Sequence, residues 1–448
     1  MRVVIGLGFF PRGGSSHVAR ALGLGLPADG WDVTLLSGSL PGGHGDAGAF
    51  YSGLDVRPVV FGEDAPMQGS YEDRPGAPDR CFARIDDDEH ERHVEAWSRA
   101  LRDADAAGAA VLHLHHLTPL NEAAARVAPG VPVVGHLHGT ELLMLERIAD
   151  GAPDGWEHAE AWAARMRRWA GACERLLLLS PSQIDRAVDL LGVPRSACVV
   201  VPNGFEPEDF RPAPVDRRAF WRTHLVDEPR GWAPGRDAGT VAYSADDVAA
   251  LDGAVVVLAV GRYTEVKRLP LLIRAFADAQ ARTRRRAALV VVGGHPGEWE
   301  GEHPLDAVEA SGARDVFLAG WHDHDALPAF LNAADLQVLA SVREQFGLVL
   351  VEGMACGLPA IAVDAYGPRD IVEPGETGWL VPPDDRAALA DAIVAAVDDG
   401  EERARRGIAA RRTARETWSW PALAHRVSAV LEDAAGVGEP ADARSALR

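Results

Sequence analysis

One pattern occurs twice in this chain and limits its folds more than any other feature. Near the N-terminus "RVVIGLGFF" reads as a buried strand, "PRGGSSH" as a glycine loop, "VARALGLGLPADG" as a helix ending at glycine, and "WDVTLLSG" as the next strand. From residue 254 the order returns, with "AVVVLAVG" as strand, "RYTEVKR" as loop, "LPLLIRAFADAQARTRRR" as helix and "AALVVVGG" as strand. Continuous apolar strands alternating with helices predict parallel sheets covered on both faces. Two such starts, roughly 250 residues apart, predict an α/β chain of two doubly wound, Rossmann-like domains facing each other across a cleft. Ligands of such sheets bind beyond the carboxyl ends of the strands, where both glycine loops fall.

The expected division follows from the pattern. Residues 1–211 form an N-terminal Rossmann-like domain, and residues 253–417 a C-terminal one. Between them, 212–252 turns to proline, tryptophan and charge and reads as an interdomain insertion. A helix at about 418–436, "WPALAHRVSAVLEDAAG", is expected to rejoin the first domain, and 437–448 reads as a loose tail. A length of 448 residues with 47% hydrophobic and 25% charged side chains suits two globular domains.

A formal charge of -21 argues against nucleic acid or an anionic membrane as main partner, since either needs a broad basic face. Any anion site must be local. Cys81, Cys173, Cys198 and Cys356 are scattered without a CxxC pair, as expected of free thiols in a reducing compartment. The start "MRVVIGLGFF" turns to glycine where a signal peptide would stay apolar, and no stretch reaches membrane-spanning length, so a cytoplasmic protein without integral membrane association is expected.

Lys267, in the second glycine loop, is the one lysine of the chain. Taken alone it reads as a solvated charge at a helix start; the alternative is a flexible point charge suited to phosphate oxygens. Farther on, "REQFGLVLVEGMACGLPAIAV" places Glu344 and Glu352 eight residues apart around a turn into a helix beginning near Leu348. Free amides at that helix start can hold a phosphate, and the two carboxylates can grip hydroxyls. As an isolated pair they read rather as acids favoured by the helix dipole.

The order "GRYTEVK", "EQFGLVLVE", "GMACGLPAIAV" and "GETGWLVPPDD", with "VPNGFEPEDFRP" and a glycine pair after the first strand, resembles the retaining GT-B glycosyltransferases of family 4, over nearly the whole chain. It is similar to bacterial mycothiol-type and secondary-metabolite transferases. The resemblance implies that Arg262 and Lys267 hold the diphosphate of a nucleoside diphosphate sugar of UDP or GDP type, and that Glu352 binds its ribose. It implies that Glu344 contacts the transferred sugar, that Phe346, Gly347 and Leu348 face that sugar and the distal phosphate, and that Gly13 and Gly14 close on the diphosphate. His138, in "HLHGTEL", matches the histidine beside the sugar. Glu344, His138, Arg262 and Lys267 are thus the expected catalytic set. No metal and no cofactor beyond the sugar nucleotide as co-substrate are expected. The implied mechanism is front-face departure, in which a diphosphate oxygen takes the acceptor's proton.

Other signals carry less. "HLHH" (His113, His115, His116) and "HLH" (His136, His138) invite a metal, but without an acidic ligand cluster they are expected to line a sugar site at the strand ends. "IDDDEHE" contains a D-x-D yet follows no strand, so an acidic helix start is expected. "RTRRR" (282–286) reads as solvated arginines at a helix C-terminus. "GLGFFPRGG" has Pro11 where a dinucleotide fingerprint needs glycine, and the second strand ends without an acid, so an oxidoreductase of that type is not expected.

The chain departs from the family at Arg268, where glycine usually follows the lysine; either a tight turn is lost or a third cation is gained. The acidic "GGHPGEWEGEHP" (293–304) is a second departure. The charged stretch from Pro66 to Trp97 suggests a small polar acceptor such as a cyclitol, amino-sugar, thiol or natural-product scaffold. The reading admits a homodimer. Two competing functions are a nucleotide-sugar epimerase on a similar fold and a non-catalytic nucleotide-sugar binding protein.

Overall fold

The computed structural model describes all residues except 12, 43–44, 74–78, 345 and 438–448. The chain divides into two compact units, Met1–Asn203 with the closing helix from Trp420, and Gly204–Ser419.

Among the described residues, the first unit carries seven parallel strands: β1 (Arg2–Leu7), β2 (Asp32–Ser39), β3 (Asp55–Val60), β4 (Val111–His115), β5 (Val133–His136), β6 (Arg175–Leu178) and β7 (Cys198–Val200), in the order β3-β2-β1-β4-β5-β6-β7. β1 pairs in parallel with both β2 and β4, so the winding direction reverses between β1 and β4. Val3, Ile5 and Leu7 pack with Leu22, Leu35, Trp162 and Leu177 on one face, and Val4 with Trp97, Leu112 and Leu120 on the other. Burial on both faces explains why these strands are apolar throughout rather than alternating.

The second unit repeats the plan with β8 (Val255–Val260), β9 (Ala287–Val292), β10 (Val316–Gly320), β11 (Leu336–Leu339), β12 (Ala360–Val363) and β13 (Gly378–Val381), ordered β10-β9-β8-β11-β12-β13. Its reversal lies between β8 and β11. Both units are doubly wound α/β, as the repeat predicts.

The structure corrects two domain boundaries. The division falls at 203/204, and residues 212–252 are not a separate insertion but part of the second unit. Trp221 and Trp232 are fully buried there. Trp232 donates Nε1 to Gly294 O at 2.7 Å, and Leu318 N donates to Tyr243 Oη at 2.7 Å. Arg217 meets both oxygens of Asp335, at 3.0 and 2.8 Å, while that carboxylate also accepts from Val256 N. A segment read as linker from its prolines and charges is thus a packed flank, because its tryptophans have an apolar face to cover. The expected arginine cluster changes too. The helix Leu269–Gln280 ends before it, and Arg282, Arg284 and Arg286 pair with Asp391, Asp398 and Asp315. "IDDDEHE" is a helix start as expected, with Asp86 accepting from Glu89 N at 2.8 Å.

The closing helix runs Trp420–Ala434 and packs in the core of the first unit through Leu423, Val427 and Leu431. Its Ser428 Oγ accepts from Trp31 Nε1 at 2.9 Å, buried. Of the expected tail, 438–448 lies outside the described residues. The Leu423 side chain is fully buried, so Leu423→Ala should destabilise the first unit by about 2–5 kcal/mol through lost burial and a cavity. Differential scanning calorimetry should show one transition shifted down while the second, from 204–419, stays in place; a common shift of both would contradict two separately cored units.

Candidate functional site

In the second unit the polar groups gather where the winding reverses. β8 runs into the loop Gly261–Arg268 and β11 into the segment 341–344. These are the two loops that flank the crevice of a doubly wound sheet. Lys267 Nζ donates to Glu344 Oε2 across them, both side chains about four-fifths buried. Val342 N donates to Val266 O at 2.9 Å and Ser341 Oγ to the same oxygen at 3.1 Å, so backbone as well as charge ties the loops. Arg262 is exposed.

Sequence alone left the consequence of Arg268 open between a lost turn and a third cation, and the structure shows neither. Arg268 adopts the left-handed backbone, φ 52°, that glycine would provide, so the turn is kept. Its guanidinium is held by Asp384, with Nε to Oδ1 at 2.7 Å, so its charge is already paired. The acidic loop 293–304 braces the same segment: Glu300 N donates to Tyr263 O at 2.8 Å, Glu265 N to Glu300 Oε2 at 3.3 Å, and Trp232 stacks on Tyr263.

The helix expected near Leu348 runs Leu348–Ala355. Gly347 precedes it at φ 102°, a conformation a side chain would strain. Phe346 is buried, and Gly367 lies against its carbonyl so closely that an added Cβ would meet Phe346 O at 2.2 Å. Gly367 N donates to Glu344 O at 3.0 Å. The turn is therefore clamped from below with its helix amides uncapped by any side chain. Glu352 is buried, 2% exposed, and does not share a partner with Glu344. His324 Nε2 donates to Glu352 Oε1 at 2.7 Å, and the Phe210 ring packs on that imidazole at 5.2 Å. The pair raises the imidazole's pKa above its ordinary value, the hydrogen bond to Glu352 being the largest cause.

In the first unit, β1 leads into the glycine loop and β4 and β5 into the histidines. Gly13 sits at φ 67°, ψ -172°, a region essentially restricted to glycine, and Gly14 opens the helix Gly14–Gly25. A Cβ on either would meet nothing within 4 Å. His138 is half-buried beyond β5. The other strand histidines do not line a site. His113, His115 and His136 are at most 1% exposed, because strands covered on both faces leave only their extreme ends at the surface. They face one another, His113 Nε2 to His136 Nδ1 at 3.3 Å and His115 Nδ1 to His138 Nε2 at 3.0 Å. Each of the three offers a nitrogen within 4.8 Å of the others, and within that group His113 and His136 hydrogen-bond to each other.

One residue that sequence reasoning missed completes this end. Glu141 is fully buried, accepts His116 Nδ1–H at 2.6 Å and lies 3.3 Å from His138 N. His116 holds a left-handed backbone, φ 67°. Glu141 sits three residues after His138 in "HGTEL", where an acid in a first helical turn reads as ordinary dipole chemistry. His324 and Asp384 were equally silent, since nothing in the sequence near either points to its partner.

The sequence model of the family described as "Glycosyl transferases group 1" matches residues 246–413, and that of "Glycosyltransferase Family 4" matches residues 12–209. The chain is 31% identical over 327 residues to a D-inositol 3-phosphate glycosyltransferase of Acidothermus cellulolyticus, covering 70% of this chain and 66% of that one. It is 32% identical over 205 residues to an alpha-D-kanosaminyltransferase of Streptomyces kanamyceticus, covering 45% and 50%. The chain thus spans about half to two thirds of the length of these curated relatives. Among solved structures it resembles sucrose-phosphate synthase of Thermosynechococcus elongatus, with 21% identity and a TM-score of 0.64, covering 96% and 98% of the two chains. It also resembles Anabaena HepE in complex with UDP and glucose, with 16% identity and a TM-score of 0.66, covering 96% and 99%. No helix among the described residues is long and apolar enough to cross a membrane.

Burial of the histidines has a measurable cost in acid. Burial lowers His113 from 6.5 to about 3, His90 and His93 to about 4, and His115, His136 and His138 well below 6.5. The unfolded chain therefore binds protons at these sites from about pH 6.5 down while the folded chain does not, and stability falls as pH falls. His113 alone contributes a loss of about 2 kcal/mol at pH 5. The urea midpoint of the first unit should drop clearly between pH 7 and pH 5; an unchanged midpoint would mean these rings are hydrated.

Proposed function

Because the chain belongs to glycosyltransferase family 4, we propose that it transfers a glycosyl group, with retention at the anomeric carbon, from a nucleoside diphosphate sugar to a small polar acceptor. The observation that carries this reading is the Lys267–Glu344 pair at the winding reversal of the second sheet. It is a cation in a chain of net charge -21, held beside an uncapped helix start. A diphosphate entering the crevice takes Lys267 from Glu344, and the released carboxylate turns to hydroxyls of the sugar. Arg262 supplies a second cation, and the amides of Gly347 and Leu348 point at the distal phosphate. Glu352 accepts from the ribose.

In the proposed step the acceptor oxygen forms a bond to the anomeric carbon on the face from which the diphosphate leaves. The bond from that carbon to the phosphate oxygen breaks, and the acceptor's proton ends on a diphosphate oxygen. Charge grows on the leaving group, so Lys267, Arg262 and the helix amides stabilise the transition state more than the ground state. On this reading Gly13 and Gly14 approach the diphosphate and His138 the sugar, with no metal taking part. The name of one relative, a D-inositol 3-phosphate glycosyltransferase, supports a cyclitol as acceptor, while that of another, a kanosaminyltransferase, gives an amino-sugar as the group transferred.

Calorimetric titration with UDP, GDP, ADP and TDP, each with and without chelator, tests the donor site. Micromolar binding of one base in preference to the others, unchanged by chelator, is expected; silence toward all four removes the transferase reading, and loss with chelator brings a metal into the site. Lys267→Ala should weaken the bound nucleotide about ten- to hundredfold, the scale of a charge-assisted contact, and lower turnover with it. Unchanged binding would leave Lys267 as a partner of Glu344 and nothing more.

A further inference from the structure

We propose that His324 is the positioning residue for Glu352, holding the carboxylate in the orientation that accepts the ribose of the donor nucleotide. The inference rests on Glu352 being the ribose acceptor. Glu352 lies on the rigid helix Leu348–Ala355 and is almost fully buried, yet the proton donor it meets comes from a different segment, the turn after β10. A carboxylate has about four acceptor sites, so one hydrogen bond to His324 fixes its rotation and leaves capacity for two neighbouring hydroxyls. The remaining freedom is in the imidazole, and that is held as well. The Phe210 ring packs on it, and Asn332, on the helix that follows the turn, donates to Arg211 O at 3.0 Å, tying down the chain next to Phe210. The "EDF" of "NGFEPEDF" thereby acquires a purpose: it supports the histidine that supports the carboxylate.

The charges around His324 make this support depend on pH. Glu352 faces it from one helix, Asp209 from the segment before Phe210 and Asp325 from its own turn, all three favouring the imidazolium. A charged imidazole makes roughly twice as strong a hydrogen bond to a carboxylate as a neutral one. Grip on the ribose therefore weakens as pH rises through the raised pKa of His324.

The test compares UDP with 2′-deoxy-UDP by calorimetry between pH 6 and 8.5, in the wild-type chain, Glu352→Gln, His324→Ala and His324→Gln; if another of the four nucleotides binds instead, its ribo and deoxyribo forms are used. The ratio of the two affinities reads the ribose contact alone. It should be about tenfold or more in the wild type, the scale of a hydrogen bond to a charged group. His324→Ala should lower it about fivefold, and His324→Gln, which keeps a donor, should retain most of it but lose its decline with pH. His324 is half-exposed on a turn, and circular dichroism with thermal melting checks that the variants fold. If Glu352→Gln lowers the ratio and His324→Ala does not, or if wild type and His324→Gln follow the same pH profile, His324 has no positioning role. If Glu352→Gln leaves the ratio unchanged, the ribose assignment itself falls.

Discussion

A parallel sheet covered by helices on both faces leaves polar chemistry one place to sit, the carboxyl edge of its strands, and within that edge the point where the winding reverses. Everything of functional interest in this chain follows from that constraint. In the second unit it brings the loop after β8 and the turn after β11 together, so that residues 77 positions apart, Lys267 and Glu344, form one ion pair. In the first it does the same for the glycine loop after β1 and the histidines on and just after β4 and β5. The constraint also explains why three of those histidines are lost to solvent: one residue too early on the strand is already inside.

Charge is distributed with the same economy. Arginine supplies nearly all the cations, and most of those described here are spent on carboxylates, as with Arg268 on Asp384, Arg274 on Glu302 and Arg217 on Asp335. A guanidinium suits such planar, two-pronged pairing. The single ammonium stands instead at the winding reversal, matched to the one carboxylate of Glu344; on the proposed reading an incoming anion displaces that carboxylate. An acidic protein can hold an anion in this way because the field that matters is that of the nearest few groups, screened from the rest over about 8–10 Å.

The fold was legible because apolar runs and glycine punctuation have a fixed period that one sequence displays directly. The four strands of the two winding starts and the helix at Leu348 follow from it. What was not legible depended on partners distant in the chain. Trp221 and Trp232 looked like linker residues because the groups they meet, Phe330 and Gly294, are 109 and 62 residues away. Arg268 could be seen to replace glycine, but not that it would take up glycine's backbone conformation and surrender its charge to Asp384. His324 and Glu141 are invisible for the same reason: a histidine in a polar turn and an acid in a first helical turn are ordinary until the opposing side chain is placed.

The second unit interrupts the first, since the chain leaves one at 203 and returns to it at 420. The two ends of the interruption are tied together, with Phe205 N donating to Trp418 O at 3.1 Å and Phe205 bridging to Ser419. Topologically this is an insertion whose entry and exit coincide, the arrangement by which whole domains are spliced into hosts without opening the host's core. A fragment spanning 204–419 would begin and end at one spot on its own surface, and the remainder could be closed by a short bridge from Asn203 to Trp420. The second unit of such a protein is in that sense portable, a cassette that evolution or an engineer could exchange while the first keeps its own sheet and its own closing helix.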